Sequence, residues 1–389
     1  MPVAPARAVV SPGRRHRRRR AAALAGALLC LGGCASDGPD RDGLQSWGYA
    51  SWWLPPKMRE LRAARFDRIA FFEVQLSATG GIVDAHGWPD RQAALRKAAR
   101  RLRTPLDVTV TLRGKADFET LFGSAENVAR LLETCLRLAD DPMLQGLQID
   151  IEHYDESSPQ ALAALRAFVP ALAGRLHAAT PRRSLSVFVP TGGPALYDAA
   201  SLAEVDWAVM QAYDAHWIEG PDAGPVAPLD GPEAVTWNKV LTNARTLGLP
   251  ARRIVMSYPL YGYEWPVTTR DPRGASTGPA GTTTLARAHD RDMPGIAGNV
   301  AERVRLHGCS HDPRSGSSNY LYPRPGGGWV SGWYEGAWSL GRKREFLVRN
   351  DLAGIAFFVA GYDAYALASN LDRKRSSPPL PAAEATSCP

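Results

Sequence analysis

Two carboxylate side chains, Asp150 and Glu152, stand two residues apart in an apolar run and offer the clearest chemistry in the sequence. In an extended strand over Leu147–Glu152, alternate side chains share a face, so Gln148, Asp150 and Glu152 would point the same way. Carboxylates are costly to bury, and two of them close together raise each other's pKa. The spacing predicts a pair of groups for acid/base catalysis. A buried polar network or a strand end that meets solvent would also explain the same residues.

The elements that must position this pair follow an alternating rhythm of strand and helix. Such alternation predicts parallel strands with right-handed crossovers. The predicted strands are Gly48–Trp52, Arg68–Val74, Leu106–Leu112, Leu147–Glu152, Ser184–Val189, Trp207–Tyr213, Arg253–Tyr258 and Gly354–Val359. The predicted helices are Asp90–Leu102, Ser124–Ala139 with Ser124 as N-cap, Pro159–Ala178, Glu233–Gly248 and Ser339–Asn350.

Eight strands are the number of a closed (β/α)8 TIM barrel, in which active sites lie at the carboxyl ends of the strands. An open doubly wound sheet is the rival fold, but no Gly-x-Gly-x-x-Gly follows the first strand. Residues 261–340, between the seventh and eighth strands, are too many for an ordinary loop. We therefore expect an inserted subdomain there, a barrel over residues 47–371, and a disordered tail over 372–389.

The amino-terminal residues have the pattern of an export signal. The chain of 389 residues has a net charge of +7, but residues 1–33 contain seven Arg and no acid, so the remainder is neutral. Neutrality removes the electrostatic argument for binding nucleic acid. The basic block precedes an apolar run, Ala21–Gly33, that is too short to span a bilayer.

The apolar run ends at Cys34, and Leu31–Cys34 resembles the lipoprotein cleavage box of bacteria. The resemblance implies a signal peptide over 1–33, a lipidated Cys34, a polar tether over 34–46 and an outer-membrane location. Among the other cysteines, Cys135 has the pattern of a buried helix residue, and Cys309 could pair with Cys388. The spacing of Cys and His residues predicts no metal site.

The run Gly146–Glu152 resembles the fourth-strand signature of glycoside hydrolase family 18, the chitinase-type barrels. The family pattern is Asp-Gly-x-Asp-x-Asp-x-Glu. Gln145 and Gln148 replace the first two Asp, whereas Asp150 and Glu152 keep the last two. Three other runs agree, and together they extend the resemblance over nearly all of residues 47–365. They are Gln211–Asp214 for Met-x-Tyr-Asp on the sixth strand, Ile254–Gly262 for Pro-x-Tyr-Gly on the seventh, and Gly354–Phe358 for the last strand.

The resemblance implies substrate-assisted, retaining hydrolysis of β-1,4-linked N-acetylglucosamine glycans by a monomer that needs no cofactor. Glu152 would be the general acid and then the base, Asp150 would hold the acetamide N–H, and Tyr213 would hold the acetamide from the other side. The substrate-binding residues would be Asp214, Gln148, Gln211, Tyr49, Tyr261, Phe358 and Trp265, of which Phe358 replaces the usual Trp platform and Trp265 is the best candidate for stacking on a sugar.

The glutamine at position 148 motivates an alternative hypothesis for the function. A Gln cannot ionise, so it can donate a hydrogen bond to Asp150 but cannot share a proton with it. We therefore expect an altered pH dependence or slower turnover, and a non-catalytic glycan-binding lipoprotein is the alternative. A third reading is a barrel hydrolase that acts on another envelope or extracellular polysaccharide.

Overall fold

Eight parallel strands close into a barrel, because the first strand pairs with both the second and the last. The computed structural model describes residues 43–53, 65–285, 296–363, 366–371 and 374. The barrel strands are β1 (Gln45–Ser51), β2 (Arg68–Leu76), β4 (Leu106–Arg113), β5 (Gly146–Glu152), β6 (Ser184–Val189), β7 (Trp207–Met210), β8 (Ile254–Pro259) and β15 (Gly354–Phe358), with a short β3 (Ile82–Asp84) antiparallel to β2. This confirms the predicted TIM barrel.

Helices connect the strands and begin where the sequence supplies caps. The helices are α1 (Ala93–Leu102), α2 (Lys115–Phe122), α3 (Ala125–Ala139), α4 (Pro159–Ala178), α5 (Ala199–Leu202), α6 (Trp237–Thr246), α7 (Val300–His307), α8 (Ala337–Arg349) and α9 (Ala366–Asn370), with 3₁₀ turns at Asp90–Gln92 and Ala251–Arg253. The side chains of Ser124, Ser158 and Thr236 each accept a hydrogen bond from the backbone N–H three residues on. These caps satisfy N–H groups that have no partner within the helix, and so set where α3, α4 and α6 start.

A second sheet of six strands lies between β8 and β15, as the sequence predicted for this position. Its strands are β9 (Tyr261–Val267), β10 (Gly281–Thr284), β11 (Ile296–Asn299), β12 (Ser310–Asp312), β13 (Ser317–Pro323) and β14 (Trp329–Tyr334). The strand β9 follows β8 after one residue, so the insertion starts directly at the carboxyl end of the barrel. The following helix, α8, belongs to the barrel and leads into β15.

A buried ion pair joins the end of this insertion to α8. The Lys343 Nζ lies 2.5 Å from Glu335 Oε2, and both side chains are fully buried. Burial raises the pKa of Glu335 and lowers that of Lys343, so each group depends on the other's charge. Ser317 adds a hydrogen bond to Glu335 from β13. The insertion is thereby fixed to the barrel next to the last strand.

The predicted elements match the observed ones closely, with differences at their ends. The strand β7 ends at Met210, three residues before the predicted Tyr213, and α6 begins at Trp237 rather than at Glu233. The helix α2, Lys115–Phe122, was not predicted. The expected signal, lipidation at Cys34 and most of the tail lie outside the described residues. Within the described part of the chain, no helix has the length and apolar character needed to cross a membrane.

The cysteines follow their sequence patterns where the structure describes them. Cys135 is a buried free thiol on α3, and burial raises its pKa to about 12. Such a thiol is inert and packs as a small apolar group. Cys309 is disulfide-bonded, and Cys388, the partner considered for it, lies outside the described residues.

Candidate active site

A cleft of about 460 Å³ opens at the carboxyl ends of the barrel strands. The barrel supplies its floor, and the inserted sheet supplies one wall through Tyr261 and Tyr263 on β9. Eight of the residues predicted from the sequence line it: Tyr49, Asp150, Glu152, Gln211, Tyr213, Asp214, Tyr261 and Phe358. Residues from β1, β5, β15 and the loop after β7 therefore meet at one place, as expected for a barrel active site.

The paired carboxyl groups of Asp150 and Glu152 lie at the centre of the cleft floor. Burial and the negative charge on Glu152 raise the pKa of Asp150 well above its usual range. Burial also raises the pKa of Glu152. The two side chains are two residues apart on one face of β5, so both carboxyl groups project into the cleft. The Oδ1 atom of Asp150 is buried and has no hydrogen-bond partner, so it is open to a donor on a bound ligand.

Arg113 and Tyr154 oppose the effect of burial on Glu152. Parallel pairing of β4 with β5 sets Arg113 beside Glu152 in the sheet. The Arg113 Nε lies 3.5 Å from Glu152 Oε1, and the Tyr154 hydroxyl donates to Glu152 Oε2 at 3.3 Å. Both contacts lower the pKa of Glu152. Burial thus favours the protonated form of Glu152 and these two contacts favour its ionised form, which suits a group that must give and retake a proton.

Glu73 shares Arg113 with Glu152. The pairing of β2 with β4 shifts register between Phe72 and Val74, and this irregularity places Glu73 in the cleft. Its Oε2 accepts a hydrogen bond from Thr111 at 2.7 Å and lies 2.9 Å from Arg113 Nη2. One guanidinium group therefore serves two carboxylates and fixes their separation across the floor.

Aromatic rings form an apolar platform beside the carboxyl pair. Tyr213 and Phe358 lie nearly parallel, with ring centroids 6.1 Å apart and planes at 18°. Tyr49 meets Phe358 edge-on at 5.6 Å. Burial raises the pKa of both tyrosines well above the usual value, so their hydroxyl groups stay protonated. The platform can pack against a sugar face while the Tyr213 hydroxyl remains a hydrogen-bond donor.

Asp214 is held where the chain leaves β7. Its backbone has φ +60°, a left-handed conformation that Asp tolerates better than most residues. Its Oδ1 accepts hydrogen bonds from the hydroxyl groups of Tyr261, at 2.7 Å, and Tyr263, at 3.2 Å. Burial raises the pKa of Asp214 to about 6, although both tyrosines counteract it. The inserted sheet therefore orients a carboxyl group that the barrel supplies.

Gln211 orders the hydroxyl group that contacts Glu152. The backbone N–H of Thr191 donates to Gln211 Oε1 at 2.9 Å, which turns the amide nitrogen towards Tyr154. The Gln211 Nε2 donates to the Tyr154 oxygen at 3.2 Å. The hydroxyl hydrogen of Tyr154 is then free to point at Glu152.

Two of the predicted substrate-binding residues do not reach the cleft. Gln148 lies one step below Asp150 inside the barrel, where it accepts from Thr109 and donates to Ser186. Its described hydrogen bonds go to these two neighbours and it does not line the cleft, so substrate binding by Gln148 stays a prediction. Trp265 was predicted to stack on a sugar, but its side chain is fully buried and its Nε1 donates to a backbone carbonyl. Trp265 shares a face of β9 with Tyr261 and Tyr263, but it lies further along the strand, outside the lining of the cleft.

Several residues that line the cleft were not predicted from the sequence as site residues. Arg113 and Tyr154 each stand at or just past the carboxyl end of a strand that carries or adjoins the carboxyl pair, which is the one signal that pointed to them. Glu73 lies near the carboxyl end of β2. Trp53, whose Nε1 donates to the Tyr362 hydroxyl, completes the rim beside β1. Among the described residues, no cluster of His, Cys, Asp or Glu could hold a metal ion.

Comparison with known proteins decides the family. The model of Glycosyl hydrolases family 18 matches residues 56–363, which is most of the chain. The chain belongs to glycoside hydrolase family 18. Membership agrees with the position of the carboxyl pair on β5, the fourth barrel strand when β3 is left out.

Relatives of this family 18 protein are distant. A class V chitinase of Arabidopsis thaliana is 23% identical over 242 residues, which are 56% of this chain and 62% of that protein. A family 18 chitinase from Cycas revoluta, solved with (GlcNAc)3, superposes with a TM-score of 0.68 at 18% identity, covering 84% and 97% of the two chains. The spore cortex-lytic enzyme SleL of Bacillus cereus gives 0.66 at 19% identity, covering 86% and 76%. These structures share the fold of this chain.

Proposed function

We propose that this family 18 protein hydrolyses β-1,4-linked N-acetylglucosamine glycans by substrate-assisted, retaining catalysis. The observation that carries the proposal is that Asp150 and Glu152 lie two residues apart on β5 and both line the floor of an open cleft. Burial raises the pKa of both groups, which favours the protonated carboxyl that can act as a proton donor. A protonated carboxyl group beside a glycosidic oxygen is the general acid that such hydrolysis needs.

The same pair argues against the ordinary two-carboxylate mechanisms. Those mechanisms use carboxyl groups about 5 Å apart, or about 6.5–9.5 Å apart, on opposite sides of the sugar. Asp150 and Glu152 are two residues apart on one face of β5, so both carboxyl groups reach the cleft from the same side. Neither can attack from the face opposite the other. The nucleophile must then come from the substrate, and the oxygen of a 2-acetamido group is suited to it.

The roles of the floor residues follow from this geometry. Glu152 would protonate the leaving oxygen and then, as a base, activate the water that opens the oxazolinium intermediate. Asp150 would accept the acetamide N–H on its free Oδ1 and balance the positive charge that develops. Tyr213 would donate a hydrogen bond to the acetamide oxygen. Asp214, which Tyr261 and Tyr263 hold in place, would bind the substrate at the wall of the cleft. Recognition of an acetamide makes an N-acetylated sugar the substrate class.

The comparisons support this substrate class for the chain. The related Cycas revoluta chitinase was solved in complex with (GlcNAc)3, and a second structure of a variant of that enzyme contains (GlcNAc)4. The aromatic platform of Tyr213 and Phe358 would pack against the apolar face of the sugar. No charged group on the substrate is needed by the contacts described above.

The direct test is release of a chromophore from an N-acetylchitooligosaccharide glycoside. Glu152→Gln removes the transferable proton and keeps the shape, so we expect at least a hundredfold loss of kcat. Glu156→Gln is the matched control, because it makes the same change at an exposed position four residues away. Equal activity of wild type and the Glu152 variant would refute the assignment of the acid.

Gln148 keeps a second function open, a chitinase-like protein that binds glycans without cleaving them. Its amide lies directly below Asp150 and cannot take a proton from it. Calorimetric binding of chito-oligosaccharides without products over a wide pH range would favour this second function. If products form only from another N-acetylated polymer, mass spectrometry of a polymer panel would show a different glycan substrate.

We also propose that the protein is exported and held at the outer membrane by a lipid on Cys34. The support is the basic and apolar pattern of residues 1–33, followed by Leu31-Gly32-Gly33-Cys34. Mass spectrometry of the purified amino terminus should find diacylglycerol on Cys34. A Cys34→Ser variant should lack this lipid, and a wild-type protein without diacylglycerol on Cys34 would contradict the anchor.

A further inference from the structure

The two ends of the barrel carry opposite charge. Among the described residues, the segments that lead into the barrel strands, with the last helical turns before them, carry eleven exposed Lys or Arg and three exposed Asp or Glu. These segments are residues 65–68, 100–107, 137–146, 175–184, 202–207, 245–254 and 349–354. We call this end the basic face, and it is opposite the cleft.

The cleft end is acidic by the same comparison. Five described loops that follow barrel strands, residues 77–92, 113–117, 153–158, 190–198 and 214–236, carry eight exposed acids and three exposed cations. The insertion that follows β8, described over residues 260–285 and 296–336, adds two exposed acids and four exposed cations, so this end carries ten exposed acids and seven exposed cations. The chain after residue 33 is neutral, so this asymmetry is produced by the fold, which sorts the charges to opposite ends.

Helix dipoles explain part of the basic face. Arg100, Arg175 and Arg349 lie in the last turns of α1, α4 and α8, where a cation stabilises the helix end. That effect decays within one turn, yet Arg103 lies beyond the end of α1. These four arginines and Arg101 are exposed and form no ion pair with any described residue. Their charge is available to a partner.

The chain enters the barrel at the basic face. Gly43 and the first residue of β1, Gln45, lie at the end where all barrel strands begin. Gly43 is only nine positions after Cys34 in the sequence. Nine residues reach about 30 Å even when fully extended. An anchor at Cys34, as proposed above, would keep this face close to the lipid and away from other partners.

We propose that the basic face rests on an anionic lipid surface, so that the catalytic cleft points away from the membrane. The acidic cleft end would be repelled by the same surface, and both effects favour one orientation. A cation near an anionic membrane contributes about 1 kcal/mol, or about fivefold in partitioning. The orientation requires the anchor only for proximity, because attraction to the lipid comes from the folded barrel itself.

The test measures binding to vesicles with a chain that starts at Asp42. Residues 42–389 form a compact unit that contains every buried core residue described, and the basic signal, which would bind vesicles by itself, is removed. Sedimentation compares vesicles of phosphatidylcholine alone with vesicles that also contain phosphatidylglycerol. We expect binding only to the anionic vesicles, and weakening by salt, because screening shortens the range of attraction to about 10 Å at 0.1 M.

Matched variants locate the binding surface. The triple variant R100Q/R101Q/R103Q removes three charges from the basic face and should bind at least tenfold more weakly. The triple variant R91Q/R305Q/R324Q removes three exposed charges elsewhere and should bind like wild type. If the first triple variant is unfolded by circular dichroism, R175Q/R245Q/R349Q tests the same face on three other helices.

Three outcomes would overturn the proposal. They are equal binding to neutral and anionic vesicles, equal losses in the two triple variants, and binding of a soluble polyanion such as heparin that competes fully with vesicles at equal charge. Hydrolysis of a soluble chito-oligosaccharide should be unchanged in the basic-face variants. An inactive enzyme that still binds anionic vesicles would refute the proposed activity alone, and an active enzyme that ignores them would refute the orientation alone.

Discussion

The contact between Arg113 and Glu152 predicts a shift in the pH dependence of catalysis. Arg113→Gln removes the positive charge that favours the ionised form of Glu152. Burial then acts with less opposition, and the pKa of Glu152 rises. Because the general acid works in its protonated form, the alkaline limit of kcat/KM should move to higher pH.

The structure bounds the size of that shift. At the 3.5 Å that separates Arg113 Nε from Glu152 Oε1, Coulomb attraction is about 5 kcal/mol for an effective dielectric constant of about 20 and about 1 kcal/mol in water. Arg113 is 44% exposed and also pairs with Glu73, so solvent and a second carboxylate screen the contact. We therefore take about 1.5 kcal/mol, which is about one pKa unit.

The assay is the initial rate on a chromogenic chito-oligosaccharide at low substrate concentration across the pH range in which the fold is stable. Arg130→Gln is the control, because Arg130 is 45% exposed and also pairs with a glutamate, but on the outer helix α3. The control should leave the profile unchanged. An alkaline limit that stays in place or moves to lower pH in Arg113→Gln would refute the electrostatic role of this residue.

Two other contacts give separate predictions. Lys343→Met leaves the buried carboxylate of Glu335 without its cation, so the free energy of unfolding measured with denaturant should fall by about 3–5 kcal/mol. The double variant E335Q/K343M should recover much of this loss. A loss below about 1 kcal/mol in Lys343→Met would contradict the role of the ion pair. Tyr154→Phe removes a hydrogen bond to Glu152. Since one such bond contributes about 1 kcal/mol, kcat should fall by about fivefold with KM nearly unchanged. A change confined to KM would instead assign Tyr154 to substrate binding.

The floor of the cleft was predictable because its signal is local. Alternation along β5 places Asp150 and Glu152 on one face whatever the neighbouring strands are, and eight strands in a strand–helix rhythm favour a barrel. The buried core and the caps at Ser124 and Ser158 agree with that pattern. The same local rule does not decide whether Gln148 lines the cleft, since alternation shows which face a side chain takes but not how far along the strand the cleft begins.

Contacts between strands needed the tertiary structure. Arg113 lies beside Glu152 only because β4 and β5 pair in one register, and shifting either strand by one residue would turn one of the two away. The prediction that Trp265 stacks on a sugar rested on its closeness to β8 along the chain, whereas the burial of its side chain depends on how the inserted sheet packs. Neither the register of β4 with β5 nor the packing of the inserted sheet can be predicted from residues that are neighbours in the sequence.

The sequence by itself determined which acid groups this protein has, that a barrel strand presents them together, and that charge is balanced after residue 33. Only the tertiary structure decided which partners tune Glu152, that the insertion supplies Tyr261 and Tyr263 to hold Asp214, and that the balanced charges separate to opposite ends. The physical reason is range: side-chain alternation acts over two residues, while electrostatic and packing contacts act through space between residues far apart in the chain.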